Sequence, residues 1–234
     1  MRIEVAVENN YENKSIAWAL DYPGCFAYGS DDAVALVNFP TAFIGYKERV
    51  QARAEKSWVN FNDIDIHVAE TFDCHPFVDP GLPSATGKTV TAFWQTDWKP
   101  LSKTEIEQGL EWLKWSREDL VALTRSIPDK KLDREIPGEK WSIRGILNHI
   151  ADSEIYFMDR LNIGAGHSTT LPIDTNLKLS ATRNLFETTM HSLVGKHLVN
   201  GKDGSFWSPR KVLRRAAWHE VDHINHILRL LNEN

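Results

Sequence analysis

Three histidines crowd into one short run near the end of the chain, W-H-E-V-D-H-I-N-H at 218–226. At about 100° per residue, a helix puts His219 at zero, His223 at about 40° and His226 at about 340°, so all three share one face. Two imidazoles at i and i+4 can hold one divalent ion from a single helix, because each neutral ring offers a lone pair. A third ligand must then come from a neighbouring element. His149 fits that need, since it sits in I-L-N-H-I-A-D-S-E between Leu147 and Ile150, where a plain surface residue is not expected. Asp152 and Ser153, one turn on, share its face and could orient an imidazole or a bound water. His226 is open to three roles: third ligand, partner that orients the ligands, or solvent-facing residue near the helix end. The orienting role is preferred. His67, His75, His167, His191 and His197 are scattered and read as structural or solvated.

The run H-E-V-D-H at 219–223 also matches the H-E-x-x-H signature of zinc proteases, in which the glutamate is the general base. Two features argue against that reading. Only 11 residues follow His223, and the helical pattern continues through Ile224-Asn225-His226 without the expected glycine turn. Glu220, about 100° from His219, should point away from the metal.

The elements that must position these residues follow from texture. Residues 1 to about 72 read as mixed α/β. Ile3, Val5 and Val7 alternate as in a half-buried strand. Asn9-Asn10 reads as a turn, Ser15–Leu20 as a second strand and Cys25–Tyr28 as a third. Asp31 and Asp32 open a helix that runs to Ala54 through Pro40. Alternation returns at Asp63–Thr71, with Ile64, Ile66 and Val68 on one face. The Pro- and Gly-rich stretch from His75 to Gly87 reads as a boundary, and Thr89–Thr96 as one more strand. Beyond Pro100 the texture is helical. The expected helices are Ser102–Ser126, opened by a capping box of Ser102 and Glu105; Trp141–Ile163, ended by Gly164; Ser180–Leu198; and one from Ser208-Pro209 almost to the C-terminus. Four such helices with modest loops predict an antiparallel bundle.

Composition bounds the rest. The chain has 234 residues, 27 basic and 32 acidic, for a net charge of -5. That balance makes a poor general binder of nucleic-acid phosphates, although Arg210, Lys211, Arg214 and Arg215 could form a local basic patch. Two cysteines, Cys25 and Cys74, make no disulfide framework and fit a reducing cytoplasm. No signal peptide or membrane span is read from the sequence. Nine tryptophans are many for this length, and they are expected to fill core layers.

Two stretches carry a family resemblance: E-K-W-S-I-R-G-I-L-N-H-I-A-D-S-E at 139–154 and A-A-W-H-E-V-D-H-I-N-H-I at 216–227. Residues 102–232 resemble the DinB-like superfamily of metal-binding four-helix bundles. The resemblance implies a three-histidine site of His149, His219 and His223 that holds a divalent ion such as zinc or nickel. It further implies a thiol-dependent transferase or isomerase acting on a small molecule, with a low-molecular-weight thiol as cosubstrate. The run A-L-D-Y-P-G-C-F-A-Y-G-S-D-D-A-V at 19–34 resembles HicB-like antitoxin domains, which implies a small ββαβ-type fold. The sequence therefore predicts an α+β protein of two domains: a HicB-like domain with its linker over 1–96 and a DinB-like bundle over 97–234. A soluble cytoplasmic homodimer without nucleic-acid or membrane partners is the expected setting. The alternative is a non-enzymatic binding or regulatory protein whose metal is structural or vestigial.

Overall fold

A computed structural model describes residues 1–61, 63–79, 81, 87–163 and 171–232. The expected roles of Gly164 and His167 lie outside these residues. The chain splits into two compact units, Met1–Trp98 with Gly201–Trp207, and Lys99–Asn200 with Ser208–Asn234.

The first unit is built on a four-stranded sheet. Strands β1 (Arg2–Tyr11), β2 (Lys14–Ala19) and β3 (Phe26–Gly29) lead into helix α1 (Asp32–Arg53), and β4 (Asp65–Asp73) follows. The sheet order is β3-β2-β1-β4, and only the β1–β4 pair is parallel. Three strands thus precede the helix, not the two of a ββαβ arrangement. The expected turn at Asn9-Asn10 lies inside β1. The true turn is Glu12-Asn13, where φ values of 50° and 63° supply the two left-handed positions a tight hairpin needs. Asn10, at φ 58°, takes up the register irregularity between Glu8 and Tyr11 instead.

Asp31 caps α1 by accepting from the Val34 amide at 2.9 Å. Ala35, Phe39, Phe43, Tyr46 and Val50 form its buried stripe, and Ile3, Val5 and Val7 of β1 are buried too. Gly29 stands where β3 meets the start of α1. A Cβ there would lie 2.1 Å from the Ala35 nitrogen, so no larger residue fits.

Thr89–Thr96 is not one strand. Only Thr89–Val90 (β6) pairs, with His75–Pro76 (β5), and Gln95–Trp98 forms a single 3₁₀ turn. The reason is the buried carboxylate of Glu8, which accepts from the Ala92 amide at 2.8 Å and from Trp18 Nε1 at 3.2 Å. It draws the backbone out of any ladder. A hairpin of β7 (Asn200–Lys202) and β8 (Ser205–Trp207) was not foreseen. Asp203 and Gly204 form its left-handed turn, and Ser205 Oγ accepts from the Thr91 amide at 3.0 Å. Its residues 201–207 group with the first unit, an excursion that a division into 1–96 and 97–234 does not contain.

The second unit holds α2 (Lys103–Thr124), a short α3 (Asp129–Leu132), α4 (Ile143–Arg160), α5 (Thr175–Ser192) and α6 (Pro209–Asn232). The four long helices form a closed ring of contacts, α2 and α4 each touching both α5 and α6. Leu120, Ile146, Leu147, Ile150, Leu179, Ile227 and Leu230 fill part of the space between them. The predicted capping box is present: Ser102 Oγ accepts from the Glu105 amide, and Glu105 Oε2 accepts from the Ser102 amide. Gly109 of α2 sits so close to Leu213 that an added Cβ would lie 2.6 Å from its side chain. That close approach seats α2 on α6.

Two helices differ from expectation. α5 begins at Thr175 because Asp174 is its cap, accepting from the Leu177 amide at 2.9 Å, and it ends at Ser192, ahead of Gly195 at φ 68°. α4 stops at Arg160, before Asn162 takes a φ of 60°. The basic run on α6 is also not a surface patch. Arg210, Lys211, Arg214 and Arg215 are all buried, and Arg210 Nη1 meets Glu105 Oε1 at 2.6 Å. Among the described residues no helix is long and apolar enough to cross a membrane.

Candidate metal centre

α4 carries His149, and α6 carries His219 and His223 one turn apart. These helices pack on each other, and their contact brings three Nε2 atoms together. His219 Nε2 lies 3.1 Å from His149 Nε2 and 3.1 Å from His223 Nε2. All three donor atoms fall within 4.8 Å of one another. Two imidazole nitrogens bound to one tetrahedral ion at about 2.1 Å would sit about 3.4 Å apart, so the spacing needs little adjustment.

The cluster is over-subscribed as a purely organic network. His219 Nε2 faces His149, His223 and the Ser153 hydroxyl, the last at 3.3 Å. A ring nitrogen has one in-plane bonding direction and cannot serve three partners. A divalent cation would draw on all three lone pairs at once, so these residues fit one.

Electrostatics prepare the same donor set. Burial, then the nearness of His223 and His149, pushes the His219 imidazole well below its ordinary pKa. Burial, with His149 and His226 beside it, takes His223 down to about 3. His149 is lowered by burial and by Lys140, against a small opposing pull from Asp152. All three rings are therefore neutral at neutral pH, the form that coordinates metal.

The walls were only partly foreseen. Ser153 reaches the triad as its spacing suggested. Asp152 does not; it is drawn outward to Lys178 Nζ at 2.6 Å. Trp141 was expected to pack a core, yet its ring stacks on His149 at 4.4 Å between centroids. It precedes α4, whose cap is Ser142, although the expected helix opened with it. Lys140 Nζ lies over the same indole at 4.4 Å, and Phe157 meets His219 edge-on at 5.8 Å. Trp141 also lines a cleft of about 390 Å³ with Glu135, Ile136, Pro137 and Lys140. His226 is at the rim. Its Nε2 bonds Glu139 Oε2 at 2.8 Å, and Arg229 joins the same carboxylate at 3.0 Å.

Glu220 points into the bundle, 2% exposed. Its carboxylate accepts from Arg117 Nε at 2.7 Å and from Arg183 Nη2. Glu154 completes the set, accepting from Arg183 Nε at 2.6 Å, Arg117 Nη2 at 3.3 Å and Thr182 Oγ1 at 2.7 Å. Burial alone would raise the Glu220 carboxyl, but the two guanidinium groups hold it below its usual value. A carboxylate so engaged is no general base, which removes the zinc-protease reading of H-E-V-D-H.

Of the remaining histidines, His67 pairs with Glu4 at 2.8 Å in the first unit and has no part in the triad.

Parts of this chain are similar to known proteins. Over 160 residues the chain is 27% identical to a protein of Oceanobacillus iheyensis provisionally named a metal-dependent hydrolase, a match covering 56% of this chain and 90% of the relative. A solved structure, YfiT from Bacillus subtilis, is described as a four-helix bundle of unusual topology and, provisionally, as a metal-dependent hydrolase. It aligns over 57% of this chain and 89% of its own, with 17% identity and a TM-score of 0.46, a distant likeness. Residues 112–227, which hold His149, His219 and His223, match the DinB superfamily. The C-terminal part of this chain is a DinB superfamily domain.

Proposed function

We propose that His149, His219 and His223 hold one divalent ion, zinc or nickel by donor type, and that the chain is a metal-dependent hydrolase of a small molecule. The observation that carries this reading is the convergence of three neutral Nε2 atoms with no fourth protein ligand among the described residues. Three protein ligands are the pattern of catalytic sites, whereas structural zinc sites close with four. A bound ion of this kind supplies Lewis acidity and a nucleophilic hydroxide at neutral pH. The chain's own residues do the rest. Trp141 and Phe157 pack against the histidine rings and wall them from solvent. The name of the Oceanobacillus relative supports hydrolysis.

No residue of the site supplies a thiol, because Cys25 and Cys74 are both buried in the first unit. Thiol-dependent transfer would need a thiol brought in as cosubstrate. Nucleic acid is a poor substrate candidate, since the basic run on α6 is buried. The test is elemental analysis of purified protein, followed by ester, amide and thioester hydrolysis assays with and without added thiol and chelator. About one ion per chain and a chelator-sensitive, thiol-independent turnover are expected. A metal-free protein that cannot be loaded would end this reading.

A further inference from the structure

Ser153 is 7% exposed, and its Oγ lies 3.3 Å from Nε2 of His219, the very atom that must face the ion. It stands one turn beyond His149 on α4, and Phe157, a further turn on, covers the neighbouring imidazole edge. A lone pair given to a metal can no longer accept the serine proton. Ion binding therefore strips this hydroxyl of its partner at His219, in a place where burial makes an unpaired donor costly.

We propose that Ser153 is a positioning residue: its hydroxyl donates to whatever occupies the ion's open position, favouring an anion there over a neutral ligand. This rests on the three-histidine metal reading. The hydroxyl moves its bond from His219 Nε2 to the incoming group, and no covalent bond to the serine forms or breaks. It would hold a hydroxide in one orientation and select substrates that present a carboxylate or phosphoryl oxygen to the metal.

Cobalt(II)-loaded full-length protein provides the test, with azide as an anionic probe followed by visible absorption. Wild type, Ser153→Ala and Ser153→Thr are compared for cobalt content and azide affinity. Ser153→Ala should keep its cobalt and bind azide about tenfold more weakly, the effect of losing one hydrogen bond to an anion. Ser153→Thr, which keeps the hydroxyl, should restore most of that affinity. Full cobalt loading with unchanged azide affinity in Ser153→Ala would overturn the role of the serine and leave the metal site standing. Loss of cobalt in Ser153→Ala would also overturn it, by showing that the hydroxyl supports the histidines themselves. A wild-type protein that takes up no cobalt would instead bring down the metal reading, and this inference with it.

Discussion

Two polar clusters meet on α4 and α6, where a member of one is the sequence neighbour of a member of the other. Ser153 and His219 face the candidate metal centre; Glu154 and Glu220, one residue on from each, face the arginines. One residue turns a side chain by about 100° on a helix, enough to exchange one environment for another. The ionic quartet of Arg117, Glu154, Arg183 and Glu220 closes on itself, two charges against two, with Arg117 and Arg183 also donating to the Leu179 and Leu113 carbonyls. The histidine cluster has three donors pointing at one spot and too few protons to satisfy them. A polar group inside a bundle is a lock when its partners are all protein, and a site when they are not.

The sharpest way to break the comparison is to unbalance the lock. Glu220→Ala leaves two buried guanidinium groups short of a counter-charge and should cost about 3–5 kcal/mol of stability. Urea unfolding of the metal-free protein reads this directly. A loss under about 1 kcal/mol would mean that the quartet is solvated and that the two clusters are not different in kind.

The histidines should behave in the opposite way. His149→Ala or His219→Ala should weaken metal binding by more than about 100-fold, beyond what removal of an orienting partner costs. The metal-free stability of His149→Ala should change far less than that of Glu220→Ala. His67→Ala, in the other unit, should leave the metal content unchanged when measured by plasma emission. Full occupancy in His149→Ala would dissolve the three-histidine site.

Acid reaches the histidine cluster at a higher pH than it reaches the carboxylates of the quartet. His223 is depressed to about 3 when folded, against an ordinary value near 6.5, so between those values the unfolded chain binds more protons than the folded one. Stability of the metal-free protein should therefore fall as pH drops below about 6.5, by about 1–2 kcal/mol at pH 5, and His223→Ala should lessen that slope. The same depression moves the acid loss of metal binding below the 6.5 expected of free imidazoles. A flat stability between pH 7 and 5 would contradict the burial ascribed to these rings. The smallest effect belongs to the rim. His226→Ala removes a partly exposed pairing with Glu139 and should cost under about 1 kcal/mol, with metal content intact.

Much of this was legible in the sequence where a local rule has a single solution. Ser102 with Glu105 could only be a capping box, and the i, i+4 pair of His219 and His223 could only share a helix face. The missed parts depend on partners distant in sequence. Arg210, Lys211, Arg214 and Arg215 look like a surface patch until the bundle encloses them. Asp152 shares a face with His149, yet Lys178, on another helix, takes it. Trp141 contributes through stacking, which no periodicity encodes. The D-G turn at Asp203-Gly204 was a readable hairpin signal, passed over because its surroundings read as helical.

The hairpin has a topological consequence. Residues 201–207 belong to the first unit, while the histidines on either side of them, His149 and the α6 pair, belong to the second. The chain therefore crosses between units three times, and no single cut separates one unit from the other. A nick near residue 98 would leave a C-terminal fragment that still carries the strand supplying Ser205 to Thr91. The N-terminal fragment would then lack the serine that accepts from its Thr91 amide.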